Sequence, residues 1–268
     1  MRRAAAAAKI NLALVVGPPR ADGRHELVTV YQRVALCDRL AVERAPSVLV
    51  EGFEGDTLVR RALETVADGT GFRAHIAKRI PVAAGLGGGS SDAATALRLA
   101  NALRDRPLPD DELHVTAREL GADVPYFLVD GPQLGTGDGT ELSPLDLPQD
   151  YWVVLVLPKG VAKSSTADVF AAFDARGGER GYERRCDALL AALGRVRRPR
   201  DLAALPTNDL TTSPLADELR ALGAFRADVT GAGPAVYGLF LHAERARAAQ
   251  RRLNARARTW LTAPAWYR

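Results

Sequence analysis

The chain has 268 residues, 47% hydrophobic and 25% charged, with a formal charge of +4. That composition belongs to a folded globular protein and excludes a disordered one. The charge excess is small, and the aromatics, 6% of residues, are not interleaved with basic residues as a single-strand groove requires, so no nucleic-acid partner is expected.

The N-terminal stretch MRRAAAAAKINLALVV begins like a signal sequence, but Lys9 and Asn11 interrupt its apolar run. No run reaches membrane-spanning length, so the expectation is a cytoplasmic enzyme without a membrane partner. From Lys9 to Val16 the residues alternate, predicting a strand with Ile10, Leu12 and Leu14 on one face and Lys9, Asn11 and Ala13 on the other. Further strands are predicted over Leu27–Leu36, Leu40–Val50 and Phe72–Ile80, with a helix over Asp56–Val66. Helices follow over about Ser90–Leu103 and Asp110–Leu120, separated by Pro107 and Pro109. Near residue 150 the texture changes, and Tyr151–Leu157 (YWVVLVL) is a continuous apolar run typical of a buried strand. Helices are predicted near 165–176 and 183–194, from Pro214, and over Ala243–Leu253. Phe225–Val229 and Ala235–Phe240 are predicted strands, with another strand in the tail. The two cysteines, Cys37 and Cys186, have neither a disulfide nor a metal-ligand spacing. Arg195–Arg200 is expected to be a solvated surface. Strands and helices mix without strict alternation, which predicts an α+β protein of two lobes, residues 1–150 and 151–268.

The densest signal is PVAAGLGGGSSDAA, residues 81–94. A strand leads in and a helix leads out. Glycines let the backbone take positive φ and approach a ligand closely. Ser90, Ser91 or Asp92 can cap the helix, whose N-terminal N–H groups and dipole make an anion site. The stretch has no G-x-x-x-x-G-K-[ST]. A dinucleotide fingerprint would place its third glycine at Ser90. A protein-kinase glycine loop would lead into a strand instead of a helix.

This stretch, read as P-x-x-x-G-L-G-x-G-S-S-x-A-A, resembles the central motif of the GHMP small-molecule kinases. Other segments resemble the family in order: Ala8-Lys9-Ile10-Asn11-Leu12, Ala21–Leu27 (ADGRHEL), Gly121-Ala122-Asp123-Val124-Pro125, Asn208-Asp209-Leu210 and Thr230–Ala235 (TGAGPA). The doubled glycine and the DGxHEL segment are similar to one branch, which phosphorylates a cytidine-diphosphate-linked methylerythritol on the non-mevalonate isoprenoid route.

The resemblance implies a ribosomal S5 domain 2-like N-terminal lobe and a ferredoxin-like C-terminal lobe, with ATP and Mg²⁺ as cofactors. It implies that Pro81, Gly85, Leu86, Gly87, Gly88, Gly89, Ser90 and Ser91 cradle the triphosphate, with Ser91 or Ser90 also holding Mg²⁺. It assigns Asp123 as the base that accepts the hydroxyl proton, and Lys9 as its partner and a stabiliser of transferring charge. Local sequence alone reads Asp123 as an N-cap before Val124-Pro125, and Lys9 as a solvated strand lysine. Asn11, on the face of Lys9, is implied to orient the substrate polyol, and His25 to read its cytidine or diphosphate end. Thr166 and Phe170 are implied on the other side of that pocket, although a core position for Phe170 fits its helix equally well. Three positions depart from the family pattern: Arg24 stands where Tyr is usual, Asp138 where a neutral or basic residue is usual, and Thr57 where Asn is frequent. The alternatives are another GHMP kinase acting on homoserine, mevalonate or a sugar, a nucleic-acid binder, and a catalytically dead nucleotide sensor. The sequence leaves the oligomeric state open.

Overall fold

A computed structural model describes residues 1–55, 58–69, 71–160 and 165–265. Thr57 and the predicted helix start at Asp56 lie outside the described residues. Two compact units alternate along the chain. One comprises Met1–Ala8, Leu36–Val82 and Gly87–Asp130; the other comprises Lys9–Ala35, Ala83–Leu86 and Gly131–Arg268. Two long strands, β1 (Arg2–Pro19) and β2 (His25–Ala45), pair with each other and contribute residues to both units.

In the first unit, β2 pairs antiparallel with β4 (Gly71–Ala77), Leu40 opposite Ile76, and β3 (Leu49–Glu51) joins β4 in parallel. Helices α1 (Leu58–Thr65), α2 (Gly88–Asn101) and α3 (Asp110–Leu120) pack together. The contact face of α2 is small: Ala93, Ala94, Ala96 and Ala100 are all buried, and Val59, Ala62 and Leu63 of α1 are buried with them. Alanine combines the highest helix propensity with the least bulk, so α2 can lie close to its neighbours. Asp110, Asp111 and Glu112 crowd the first turn of α3, where carboxylates complement the helix dipole.

In the second unit, β5 (Gln133–Thr136) and β6 (Glu141–Pro144) form a hairpin, and β5 pairs antiparallel with β2, Thr29 opposite Gly135. Then follow β7 (Trp152–Pro158), α4 (Thr166–Ala175), α5 (Tyr182–Leu193), α6 (Pro214–Ala221), β8 (Arg226–Val229), β9 (Val236–Phe240), α7 (Ala243–Leu253) and β10 (Ala257–Thr262). The last four strands form an antiparallel sheet in the order β10-β7-β9-β8. That order, fourth, first, third, second, is that of a ferredoxin-like sandwich. Ala216 and Leu219 of α6 and Ala246, Ala249 and Leu253 of α7 close its core against Val154, Val156, Val236 and Phe240. No described helix is long and apolar enough to cross a membrane.

Three expectations are corrected. The strand expected over 9–16 runs from 2 to 19, and residues 6–17 are buried on both faces. Alternation therefore does not mark an exposed face here. The two strands expected over 27–36 and 40–50 are one strand, β2, followed by the short β3. Cys37-Asp38-Arg39 looks like a polar break, but the Asp38 carboxylate is satisfied by hydrogen bonds from Arg79 and Ile80 N–H, so pairing continues through it. The α2 helix begins at Gly88, two residues before its expected start, and the hairpin of β5 and β6 carries no prior strand signal beyond its glycines.

Candidate active site

The turn between β4 and α2 is built on left-handed positions. Ala83, Gly85 and Gly87 have φ of 60°, 81° and 67°. Only glycine adopts this region at little cost. Gly85 needs its missing side chain for a second reason: a Cβ there would lie 2.3 Å from the Thr230 carbonyl oxygen. Gly87 is the N-cap of α2, and no side chain caps the helix. Capping by Ser90, Ser91 or Asp92 is therefore corrected: the early helix start puts all three inside the helix. The Ser91 N–H bonds the Gly87 carbonyl at 2.9 Å. The N–H groups before it have no intrahelical acceptor and face the positive end of the dipole. Gly89 is exposed and a Cβ there would meet only Leu58 at 3.6 Å, so this surface is open to a ligand. An uncapped helix start under a glycine turn suits a polyphosphate. Pro81 and Ser90 are half-buried, while Leu86 and Ser91 are buried. Among the described residues no group of three or more His, Cys, Asp or Glu can hold a metal ion. The Ser90 and Ser91 hydroxyls beside the helix start still fit Mg²⁺, which takes few protein ligands and completes its shell with phosphate oxygens and water.

Asp123 is half-buried in the turn between α3 and a 3-10 turn over Pro125–Leu128. Val124, not Asp123, stands at the cap position of that turn. The N-cap reading of Asp123 is thereby removed.

In the second unit, Lys9 is only 4% exposed, against the solvated lysine that local sequence predicts. Its Nζ donates to Asn11 Oδ1 at 2.8 Å and lies 5.5 Å from the centre of the Tyr31 ring. Asn11 Nδ2 donates to Thr29 Oγ1 at 2.7 Å, and the Thr29 hydroxyl donates to the Ala13 carbonyl at 2.8 Å. The Asn11 N–H donates to Thr230 Oγ1 at 3.0 Å. Lys9 N–H donates to the Leu86 carbonyl at 2.9 Å, and Ala235 N–H to the Ala84 carbonyl at 3.1 Å. Residues 83–86 thus lie against β1 and the 230–235 turn. Asn208 supports that turn, with Nδ2 donating to the Val229 and Gly231 carbonyls at 3.1 and 2.7 Å. Asp209 Oδ2 accepts Val16 N–H and Arg185 Nε, each at 2.9 Å. The Asn-Asp-Leu motif is therefore structural support. Thr29 carries no sequence signal of its own, and the TGAGPA segment gives none for the contact of Thr230 with Asn11, because strand pairing and a 219-residue separation bring these residues together.

His25, at the start of β2, stacks on Phe170 with ring centres 4.7 Å apart and a 34° tilt, and its Nε2 lies 2.8 Å from Asp174 Oδ1. Phe170 packs at the edge of a core cluster of Leu14, Val16, Phe173 and Leu210, so it is both a core residue and a partner of His25. Thr166 is exposed at the first position of α4, after a Ser165–Asp168 capping box. The S-x-x-D spacing is the legible signal for that helix start.

Two departures from the family pattern turn out to be partners. Arg24 Nη1 pairs with Asp138 Oδ2, the side chains being 51% and 12% exposed. Thr140 donates to Asp138 Oδ1 from its hydroxyl at 2.7 Å and its N–H at 3.2 Å. Burial acts to raise the Asp138 pKa, but the Thr140 and Arg24 hydrogen bonds outweigh it and hold the carboxyl below its ordinary range. A lowered folded-state pKa contributes stability at higher pH that is lost as pH falls through that value. Unfolding free energies measured from about pH 5 down to about pH 2 are expected to fall less steeply for Asp138→Asn than for the wild type. Equal slopes would remove this account of the pair.

Asp38 and Lys78, which lie outside every motif, cluster in the first unit with Asp92 of the glycine-rich motif. Lys78 Nζ donates to Asp38 Oδ2 at 2.5 Å and to Asp92 Oδ2 at 2.7 Å. Burial would lower the Lys78 pKa, but the two carboxylates prevail and hold the ammonium charged. Burial also pushes the Asp92 carboxyl up to about 7, against the pull of Lys78. Asp38 and Lys78 are 40 positions apart, so one sequence offers no signal for the cluster.

Comparison with known proteins places these features. The model "GHMP kinases N terminal domain" matches residues 57–131, and "GHMP kinases C terminal" matches 212–259. The 4-diphosphocytidyl-2-C-methyl-D-erythritol kinase of Thermobifida fusca is 38% identical over 90% of this chain and 87% of its own. A crystal structure of 4-(cytidine 5'-diphospho)-2C-methyl-D-erythritol kinase is 34% identical, with a TM-score of 0.80 over 99% of this chain and 100% of the other. The Methanococcus jannaschii mevalonate kinase shares the fold alone, with a TM-score of 0.77 at 14% identity over 99% of this chain and 98% of the other.

Proposed function

Because the chain belongs to the GHMP kinases, and within them to the 4-diphosphocytidyl-2-C-methyl-D-erythritol kinases, we propose that it transfers the γ-phosphoryl of ATP to the 2-hydroxyl of 4-diphosphocytidyl-2-C-methyl-D-erythritol. The observation that carries the reading is the uncapped start of α2 under a glycine turn, in a chain 38% identical to such a kinase over nine-tenths of its length. The other GHMP acceptors are less well supported, since the mevalonate kinase likeness is 14% identical and concerns the fold alone.

In this reading the backbone from Gly85 to Ser90 binds the triphosphate through N–H groups, which need no reorganisation as charge develops, with Ser91 beside them. Ser90 or Ser91 would hold Mg²⁺, which when bound neutralises phosphate charge. Asp123 accepts the proton of the attacking hydroxyl as the new O–P bond forms. Lys9, held by Asn11, opposes the negative charge of the transferring group. Asn11 positions the polyol, and His25, Phe170, Arg24 and Thr166 bind the cytidine diphosphate end. Residues 1–150 and 151–268 act as N- and C-terminal kinase domains, and the family models falling on 57–131 and 212–259 support that division. The reading has no nucleic-acid or membrane partner and sets the reaction in the cytoplasm, on the non-mevalonate isoprenoid route.

A coupled ADP-release assay tests it, with 4-diphosphocytidyl-2-C-methyl-D-erythritol, methylerythritol phosphate, homoserine and mevalonate offered in parallel. Turnover is expected with the first alone. Turnover with another acceptor instead would keep the kinase and overturn the substrate.

A further inference from the structure

Two buried carboxylates and a half-buried lysine lie beside the phosphate-binding turn without a part in the transfer chemistry. Lys78 is the first residue after β4, Asp38 belongs to β2, and Asp92 begins the second turn of α2. Asp38 and Asp92 are 0% and 1% exposed. One ammonium touches both carboxylates, at 2.5 and 2.7 Å. The second oxygen of Asp38 accepts the N–H groups of Arg79 and Ile80, the latter at 2.8 Å. Asp38 thus holds all three residues that lead the chain into the turn. On the far side, Gly88 comes so close that a Cβ would lie 3.0 Å from Ile80 Cγ2 and 3.4 Å from Lys78 Nζ.

As a device for stability this cluster is poor. It buries two carboxylates against one ammonium, and Asp92 Oδ1 has no hydrogen-bond partner among the described residues. Neutral groups of similar shape often stabilise a fold as well as a buried ion cluster does, or better. What the ions provide is directional: short charge-assisted bonds that fix where β4 ends relative to where α2 begins.

We propose that Lys78 and Asp38 are positioning residues for the phosphate-binding turn, a staple between the exit of β4 and the start of α2 that sets the spacing of the N–H groups meeting the nucleotide. The inference rests on the kinase reading and deepens it. A phosphate cradle works only when its donors are held near their productive positions, and a supporting shell of locked side chains is what holds them. Lys78 itself touches no reacting atom in this account.

The test uses the full chain as wild type, Lys78→Arg, Lys78→Met and the neutral triple variant Lys78→Met/Asp38→Asn/Asp92→Asn. Each is read for ADP binding by calorimetry, KM for ATP, KM for the acceptor and melting temperature. The triple variant is expected to recover the melting temperature that Lys78→Met loses, yet to bind ADP about tenfold more weakly than wild type. Its KM for ATP should rise in parallel while the acceptor KM stays within about twofold. Lys78→Arg, which keeps the charge, should lie nearer to wild type. Wild-type ADP affinity in the triple variant would overturn the proposal, because a purely structural cluster would show that result. A wild type that binds ADP but phosphorylates no acceptor overturns the kinase reading, and the ADP affinities still decide the staple. A wild type that binds no ADP overturns both.

Discussion

Asp123→Asn is expected to lower kcat by about a thousandfold while leaving the KM for ATP within about twofold. The amide has the shape of the carboxylate and keeps its hydrogen-bonding reach, but it cannot take a proton at neutral pH. A positioned base typically contributes a factor of about 10²–10⁴, which sets the size of the loss. The effect is expected on kcat because proton acceptance belongs to the transition state, whereas the triphosphate contacts proposed above are backbone groups around Gly87 at the start of α2. Steady-state kinetics with both substrates varied would check it. Retention of kcat within about tenfold would remove Asp123 as the base, and the hydroxyl would then lose its proton to solvent or to a phosphoryl oxygen. Because Val124 and not Asp123 stands at the cap position of the following 3-10 turn, the substitution removes no helix cap. The melting temperature of the variant, measured beside its kinetics, separates any loss of folding from loss of the base.

Gly85→Ala is expected to raise the KM for ATP by about tenfold or more and to destabilise the protein by about 2–4 kcal/mol. Two independent costs add at this position. The φ of +81° disfavours any residue with a Cβ, and that Cβ would lie 2.3 Å from the Thr230 carbonyl oxygen and 3.1 Å from that of Gly233. Both contacts are to backbone, so no side chain can rotate away. The turn must shift, and with it residues 83–86, which are tied to Lys9 and Ala235 through the Leu86 and Ala84 carbonyls. Gly89→Ala is the matched comparison, because its Cβ would meet only Leu58 at 3.6 Å. Its melting temperature should stay near that of the wild type. Equal loss in both variants would show that glycine content, and not the close approach at Gly85, governs the turn.

The elements that were legible are those whose signal is local. The α3 helix falls on its predicted residues because Pro109 precedes it, a carboxylate-rich first turn opens it and Gly121 follows it. The strand β7 and the helix α7 likewise match their apolar run and amphipathic period. The β1 strand was legible in type but not in exposure. Lys9 and Asn11 interrupt an apolar run and look solvated, yet both are buried, because their polar groups are satisfied by each other and by Thr29 and Thr230. The apparent break at Asp38 failed as a boundary for the same reason: a charge that seems to end a strand can be met from a distant segment.

Sequence by itself determined the α+β class, the glycine turn leading into a helix, and the ordered motifs from Lys9 to Ala235. Each depends on covalent neighbours, on period, or on the backbone freedom of glycine. Tertiary structure alone decided what the polar residues do. Whether Asp92 caps α2 or meets Lys78, whether Asn208 and Asp209 hold a turn, and whether Arg24 and Asp138 are separate oddities or one ion pair depend on segments tens to hundreds of residues apart. A buried polar group must find a partner, and only the folded chain brings the candidates within hydrogen-bonding reach.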